Sequence, residues 1–247
     1  MSGTREWYAE IGSTQDRAVE LARQGAEEGT RVVARRQGRG RGRLRHRWES
    51  PAGGLYLSIV LAAPDQHASL LPLALGAYVA EALDRRYQIP LALKWPNDIV
   101  VVNGGSPSRK LSGILVDRVT SPRLGAAAVA GIGVNVTTDR AELSASARER
   151  VAVLSELCRV PPELEEVEQI VVEAALSAAA SARTATGLEE VRKLCRRRLW
   201  GVGRRAEVDG HPVGTIVALG DEGELWVEDQ GERMAIRAGD LRVEETP

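Results

Sequence analysis

Residues 37–58 read Gln-Gly-Arg-Gly-Arg-Gly-Arg-Leu-Arg-His-Arg-Trp-Glu-Ser-Pro-Ala-Gly-Gly-Leu-Tyr-Leu-Ser, and no other stretch constrains the fold as strongly. Alternating glycine and arginine offers neither a helix nor a strand an apolar face to bury, so the run is a surface loop. Two apolar β-type runs flank it, at 30–34 and 55–62, which suspends the loop between strands. Glycine lets the backbone approach a ligand closely and turn main-chain N–H groups toward it. The interleaved arginines are planar, permanently charged forks suited to phosphate and carboxylate. Trp48 sets a flat aromatic face beside that charge. An anionic ligand with an aromatic ring, such as a nucleotide, answers all three features. Two plainer readings stay open on this stretch alone: a solvated basic loop, or a segment that coats nucleic acid without specificity.

Charge weakens the second of these. The chain of 247 residues has a formal net charge of −1, so acids elsewhere balance the arginines and there is no global field for nucleic acid. Its length allows one large domain, or a large one with a small one. With 43% hydrophobic and 27% charged residues, it has the make-up of an ordinary soluble globular protein. Cys158 and Cys195 stand far apart in no metal spacing, which fits a reducing compartment and small buried side chains. His46, His67 and His211 form no cluster, so no zinc site is expected. The first residues lack an apolar signal core and no apolar run reaches membrane-spanning length, so the expected location is cytoplasmic. Only three of the 33 basic residues are lysine: Lys94, Lys110 and Lys193. Where arginine is the default cation, a lysine marks a place where a compact ammonium is needed.

Along the chain, Ser13 followed by Asp16 resembles a capping box that opens a helix through about Gln24. Ser13, Thr14 and Gln15 then either cap that helix or hydrogen-bond a polar ligand at its start. A long apolar helix is expected over 68–87, interrupted by Pro72. Residues 91–94 read as a strand ending in the turn Pro96-Asn97-Asp98. Runs 99–102 and 111–117 read as a hairpin joined by the 103–109 loop. Residues 126–136 form a further strand whose Gly131 and Gly133 mark a close approach by something else. From 141 to 199 the pattern is helical, with short loops at 160–162 and 185–187. Beyond Trp200 come short β-runs at 205–208, 213–219, 224–228 and 233–237, a spacing that fits a small antiparallel barrel.

Six motifs now stand in one order. Ser13-Thr-Gln is followed by Gln37 with Gly40-Arg-Gly-Arg43. Then come Trp48-Glu-Ser-Pro with Gly53-Gly-Leu-Tyr-Leu-Ser, Lys94-Trp-Pro-Asn-Asp98, Arg109-Lys-Leu-Ser-Gly-Ile-Leu-Val-Asp117 and Gly131-Ile-Gly-Val-Asn135. Each is weak alone, but the ordered set resembles the biotin protein ligases over essentially the whole chain. The resemblance implies an α+β fold: a mixed β-sheet flanked by helices, related to lipoate ligases and class II tRNA synthetases, over 1–199, and a small all-β barrel of the Src-homology-three type over 200–247. It also implies a two-step reaction. Biotin and Mg-ATP give biotinyl-5′-AMP and pyrophosphate, and the acyl group then passes to a lysine of a biotin carboxyl carrier domain.

In that scheme Ser13, Thr14, Gln15 and Gln37 hold the ureido ring, and Arg41, Gly42 and Arg43 close over biotin and the adenylate. Lys110 sits where the carboxylate meets the α-phosphate, with Arg43 and Asp98 beside it in catalysis; Asp98 orients or deprotonates the acceptor amine. Trp48 stacks on adenine, and Lys94, Asn97 and Asn135 serve the nucleotide. Mg²⁺ arrives with ATP near Asn97 or Asp98, with no metal held by the protein alone. Strands around Gly113 and Gly131–Gly133 wall the biotin slot, where small residues leave room for the bicyclic ring. Trp95 reads as core, and Arg35, Arg36, Arg45 and Arg47 as solvated flanks.

Two departures stand out. Gln15 occupies the place of the family's usual asparagine, and Arg45-His46 replaces a Gly-Arg pair in the closing loop. No helix-turn-helix precedes the motifs, so a plain ligase without DNA or membrane partners is expected, with a homodimer as the leaning. The alternative enzyme is a lipoate or octanoate ligase or transferase of the same fold. A nucleic-acid-binding protein and a biotin sensor that has lost transfer complete the set of readings.

Overall fold

The computed structural model describes residues 3–63, 67–102 and 108–244. In chain order the elements are β1 (Arg5–Tyr8), α1 (Thr14–Arg23), β2 (Arg31–Ala34), β3 (Gly54–Ala62), α2 (Leu71–Tyr87), β4 (Leu91–Lys94), β5 (Asp98–Val101), β6 (Arg109–Ser121) and β7 (Gly125–Asn135). There follow α3 (Ala145–Arg150), α4 (Leu164–Ala182), α5 (Ala185–Arg198), β8 (Arg205–Val208), β9 (His211–Leu219), β10 (Leu225–Asp229), β11 (Glu232–Ile236) and β12 (Leu241–Val243). Among the described residues the first seven strands form one sheet in the order β1-β2-β3-β7-β6-β5-β4, and the last five form another, β11-β10-β9-β8-β12. The large sheet is mixed: β1 runs parallel to β2, and every other neighbouring pair is antiparallel.

The strict two-residue period of β3 and β7 gives this sheet two different faces. Leu55, Leu57, Ile59 and Leu61 of β3, with Ala128, Ala130, Ile132 and Val134 of β7, belong to the main core, into which α2 and α4 pack. The intervening residues Val60 and Val129 meet Ala18 and Ala22 of α1 in a smaller cluster on the opposite face. That second face also carries Ser58, Gly131 and Gly133. A sheet buried on both sides explains why β3 reads as an uninterrupted apolar run rather than a clean alternation.

Several boundaries differ from the sequence expectation. Pro72 does not interrupt a helix begun at residue 68; a short 3-10 turn covers Ala68–Leu70, and Pro72 lies in the first turn of α2. A proline there costs nothing, because the first N–H groups of a helix lack partners anyway. The loop expected at 185–187 is the first turn of α5, whose cap Thr184 accepts a hydrogen bond at Oγ1 from the Gly187 N–H at 3.1 Å. Gly187 is there for space, since a Cβ would press on the Ser181 carbonyl where α4 turns into α5. The helical reading of 141–199 fails at Val151, which instead bridges β6 at Lys110. Positions 103–107 of the expected hairpin loop lie outside the described residues, while β5 and β6 pair as expected.

β1 and β12 carry too little apolar signal to be read from sequence. β1 is held by charge: Glu168 of α4, buried, takes Arg5 at 2.7 Å and Arg31 of β2 at 3.2 Å. Burial works against this carboxylate's charge, but hydrogen bonds from the two arginines outweigh it and lower its pKa. The five-stranded sheet docks on the first through Trp95, buried as expected, whose Nε1–H donates to the Gly223 carbonyl at 2.9 Å. The Trp200 N–H donates to the Leu93 carbonyl at 2.8 Å beside it. Among the described residues no helix is long and apolar enough to cross a membrane.

Candidate active site

The face of the large sheet that carries α1 has a floor of glycines, and the start of α1 stands over one end of it. Ser13 caps α1, accepting the Asp16 N–H at 3.3 Å, so the capping role is realised. Thr14 donates from both N–H (2.8 Å) and Oγ1 (3.1 Å) to Oε1 of Gln37, and its Oγ1 also lies 2.9 Å from Ser58 Oγ. Gln37 in turn donates from Nε2 to Ser50 Oγ at 3.0 Å, and Ser50 donates to the Trp48 carbonyl at 3.1 Å. A continuous polar chain thus runs from β3 through α1 to the arginine loop. Gln15 donates to the Val129 carbonyl (2.9 Å) and to Asp117 (3.2 Å). Its Oε1 is buried without a donor among the described residues, and a Cβ on Gly131 would fall 2.5 Å from it. A buried acceptor left unfilled costs free energy unless something else supplies the N–H.

The arginine loop folds back on itself. The Trp48 N–H donates to the Gly40 carbonyl at 3.0 Å and the Gly42 N–H to the His46 carbonyl at 2.8 Å. Gly40 is required because a Cβ would meet the Trp48 carbonyl and Ser50. The loop that lost a glycine at Arg45-His46 closes by placing Leu44, largely exposed, in the left-handed region at φ 51°. With Leu115, Val116 and Asp117 of β6, the loop lines an open cleft of about 730 Å³. Arg41 lies 2.9 Å from Asp16 and 3.0 Å from Asp117, and Arg43 donates to Asn97 Oδ1 at 3.2 Å and weakly to the Gly239 carbonyl at 3.5 Å. Both arginines expected on the ligand therefore rest on acceptors of the protein itself.

At the other end of the glycine floor, Lys110 Nζ pairs with Asp98 Oδ1 at 2.7 Å and lies 5.0 Å from the centre of the Trp48 ring. Lys94 faces Asp98 across the β4–β5 ladder. Burial pulls the Lys94 ammonium below its ordinary value, Asp98 and Asp240 pull the other way, and Lys110 and Arg150 reinforce the burial. Asn97 donates to the Ile114 carbonyl at 2.8 Å. Asn135 turns its amide on the β6 backbone, donating to the carbonyls of Leu111 (3.2 Å) and Lys110 (3.4 Å).

Residues 8–135 match the Biotin/lipoate A/B protein ligase family. The chain belongs to this family. The matched segment takes in every residue described above from Ser13 to Asn135, and leaves α4, α5 and the second sheet outside it. The bifunctional ligase/repressor BirA of Bacillus spizizenii is 38% identical over 129 residues, covering 51% of this chain and 38% of that protein. The biotin–[acetyl-CoA-carboxylase] ligase of Paracoccus denitrificans is 39% identical over 133 residues, 52% of each chain. This chain thus spans well under two thirds of these curated relatives. In three dimensions the biotin protein ligase from Aquifex aeolicus, solved in complex with biotin and ATP, aligns over 98% of this chain and 99% of its own, at TM-score 0.81 and 29% identity.

The space above Gly113 and Gly133, expected to leave room for a bicyclic ring, is filled by the indole of Trp48: a Cβ on Gly113 would fall 2.7 Å from that ring, and one on Gly133 2.6 Å. The glycines are needed for close approach, as read, but the group approaching is the protein's own aromatic ring, whose buried Nε1–H finds no acceptor among the described residues. Ser50, Ser58 and Asp117 stand in the quoted motifs, but no role is read for them from sequence. Ser58 had a signal, as a lone hydroxyl on the period-two face of an apolar strand. Asp240 and Arg150, which act on Lys94 from the second sheet and from the end of α3, had none, being far away in sequence.

Proposed function

We propose that this chain is an ATP-dependent biotin protein ligase. It joins the biotin carboxylate to the α-phosphorus of ATP with release of pyrophosphate. It then lets a lysine amine of a biotin carboxyl carrier domain attack the acyl carbon, with AMP leaving. The observation that carries the reading is the pairing, on one glycine-floored sheet face, of a buried amide network with an unfilled acceptor and a lysine–carboxylate pair. A ureido ring presents N–H donors that Gln15 Oε1 lacks, and Ser13, Thr14 and Gln37 would supply the other polar groups to it. Lys110 is placed to offset charge on the reacting carboxylate and α-phosphate, and Arg41, Gly42 and Arg43 belong to the loop that would fold over both. Trp48 would leave Gly113 to stack on adenine, while Lys94, Asn97 and Asn135 serve the nucleotide.

Mg²⁺ is expected with ATP, where it neutralises phosphate charge. Asp98 and the Asn97 carboxamide oxygen, the latter now accepting from Arg43, are oxygen donors of the type it takes. The solved complex of the Aquifex ligase with biotin and ATP supports the choice of substrates. The division into a catalytic domain (1–199) and a barrel of the Src-homology-three type (200–247), a cytoplasmic location and a homodimer belong to the same proposal.

The test is biotin-dependent ATP–pyrophosphate exchange on the purified protein, with lipoate as control and Lys110→Ala alongside. Exchange with biotin alone, lost in the variant, is the expected result. Exchange with lipoate alone would instead give the chain the sister activity of its family.

A further inference from the structure

Glu49 directly follows Trp48 and makes two hydrogen bonds to a residue 95 positions away: Oε2 accepts the Ser144 N–H at 2.7 Å, and Oε1 accepts Ser144 Oγ–H at 2.6 Å. Hydrogen bonds from the Ser144 side chain and backbone hold the Glu49 carboxyl below the usual carboxylate range. Ser144 is the cap of α3, its Oγ also accepting the Ala147 N–H at 3.4 Å. The far end of α3 is fastened as well. Val151 bridges Lys110, and the Ala152 N–H donates to the Lys110 carbonyl at 2.8 Å. A second tie, Arg36 to Glu142 at 2.9 Å, joins the strand side of the arginine loop to the same segment.

The segment around α3 is therefore a strap. One end is tied to the residue beside Trp48 and the other to the backbone of Lys110, and these two side chains stand over the glycine floor. Trp48 must leave Gly113 and Gly133 before any ring can lie there. Because Glu49 is bonded to α3, that displacement pulls on the strap.

We propose that the Glu49–Ser144 pair couples the arginine loop to α3, so that the two open and close as one and hold the acyl-adenylate in the site. Glu49 and Ser144 are positioning residues in this account, which rests on the ligase reading for the identity of what is held. Ser144 lies beyond the segment matched by the family, residues 8–135.

Two measurements on the full chain decide it. The first is amide hydrogen exchange without ligand. Glu49→Gln, a change in the loop, is expected to speed exchange in residues 145–150 about tenfold. Ser144→Asp keeps the cap but opposes the Glu49 carboxylate, and should speed exchange in residues 38–48 to a similar degree, about tenfold. Glu49→Gln combined with Ser144→Asp restores a donor–acceptor pair and should bring both segments back toward wild type. The second is release of radiolabelled adenylate preformed from biotin and ATP. Each single variant should lose it about tenfold faster, with the single-turnover rate of adenylate formation unchanged and the double variant rescued. Effects confined to the mutated segment, or no rescue, overturn the coupling. A wild type that forms no adenylate overturns the ligase reading instead, and hydrogen exchange still decides the coupling.

Discussion

Lys110 Nζ and Asp98 Oδ1 lie 2.7 Å apart across the β5–β6 ladder, so each holds the other in an ion pair. An ammonium paired with a carboxylate is not available to a phosphate, and a carboxylate paired with an ammonium is a poor acceptor for an amine proton. On the proposed ligase reading, incoming phosphates, carrying more negative charge than Asp98, would draw Lys110 away and leave Asp98 free for the acceptor amine. The two residues should therefore separate kinetically. Lys110→Ala is expected to slow adenylate formation by about 10²–10³-fold, the scale of one preorganised charge contact. Asp98→Asn should leave ATP–pyrophosphate exchange within about tenfold of wild type, while slowing transfer from preformed adenylate by about 10²-fold or more. Equal losses in both half-reactions for Asp98→Asn would sink this division of labour.

Gly131 and Gln15 make a second expectation. A Cβ at 131 would fall 2.5 Å from Gln15 Oε1, and Gln15 cannot easily yield because its Nε2 is held by Val129 and Asp117. Gly131→Ala should cost about 1–3 kcal/mol of stability by overpacking and weaken biotin binding at least about tenfold, measured by thermal melting and calorimetric titration. Adding Gln15→Ala should return most of the stability and none of the affinity. A double variant that binds biotin as tightly as wild type would remove Gln15 from the ligand site.

How much of this was legible follows from which interactions are local. β3 and β7 were readable because their apolar runs and glycines are intrinsic to the strand, and the start of α1 because Ser13 and Asp16 are three residues apart. β1 was not, because Arg5–Tyr8 is held by a glutamate 163 residues from Arg5. Lys110 and Asp98, expected beside each other, do meet. What no local pattern carried was where Trp48 rests. Its seat on Gly113 and Gly133 depends on β6 and β7 lying side by side, and on the Gly40 carbonyl turning the loop back. Gly187 misled for the same reason, since its need for space comes from α4 rather than from its own helix.

The docking of the second sheet gives a third test. Trp95 is buried, and its Nε1–H satisfies the Gly223 carbonyl between the two sheets. Trp95→Phe keeps most of the apolar volume but leaves that carbonyl without its donor, at a cost of about 1–3 kcal/mol. For a chain of this size, melting should fall by about 3–10 °C. A change under about 1 °C would mean that water replaces the indole and that the contact adds little to docking.

Lys94 makes the last prediction, through its pH dependence. Burial lowers its pKa from 10.5, with Lys110 and Arg150 adding to the effect and Asp98 and Asp240 opposing it. The folded protein therefore binds this proton less tightly than the unfolded chain does. Between the lowered value and 10.5 the unfolded state holds more protons, so wild-type stability gains with rising pH across that window, and the full penalty for the buried charge applies below it. Lys94→Met removes the charge and keeps the length. It should melt higher than wild type at pH 7, with the advantage shrinking as pH rises through the window and absent above 10.5. The same variant should raise the KM for ATP, because a phosphate tail would meet one cation fewer. Charge at this position would then be retained for ligand binding at the expense of stability, which is the usual sign of a functional site. A variant that melts lower than wild type at pH 7 would show that Asp98 and Asp240 more than offset the burial, and Lys94 would be a structural ion-pair partner.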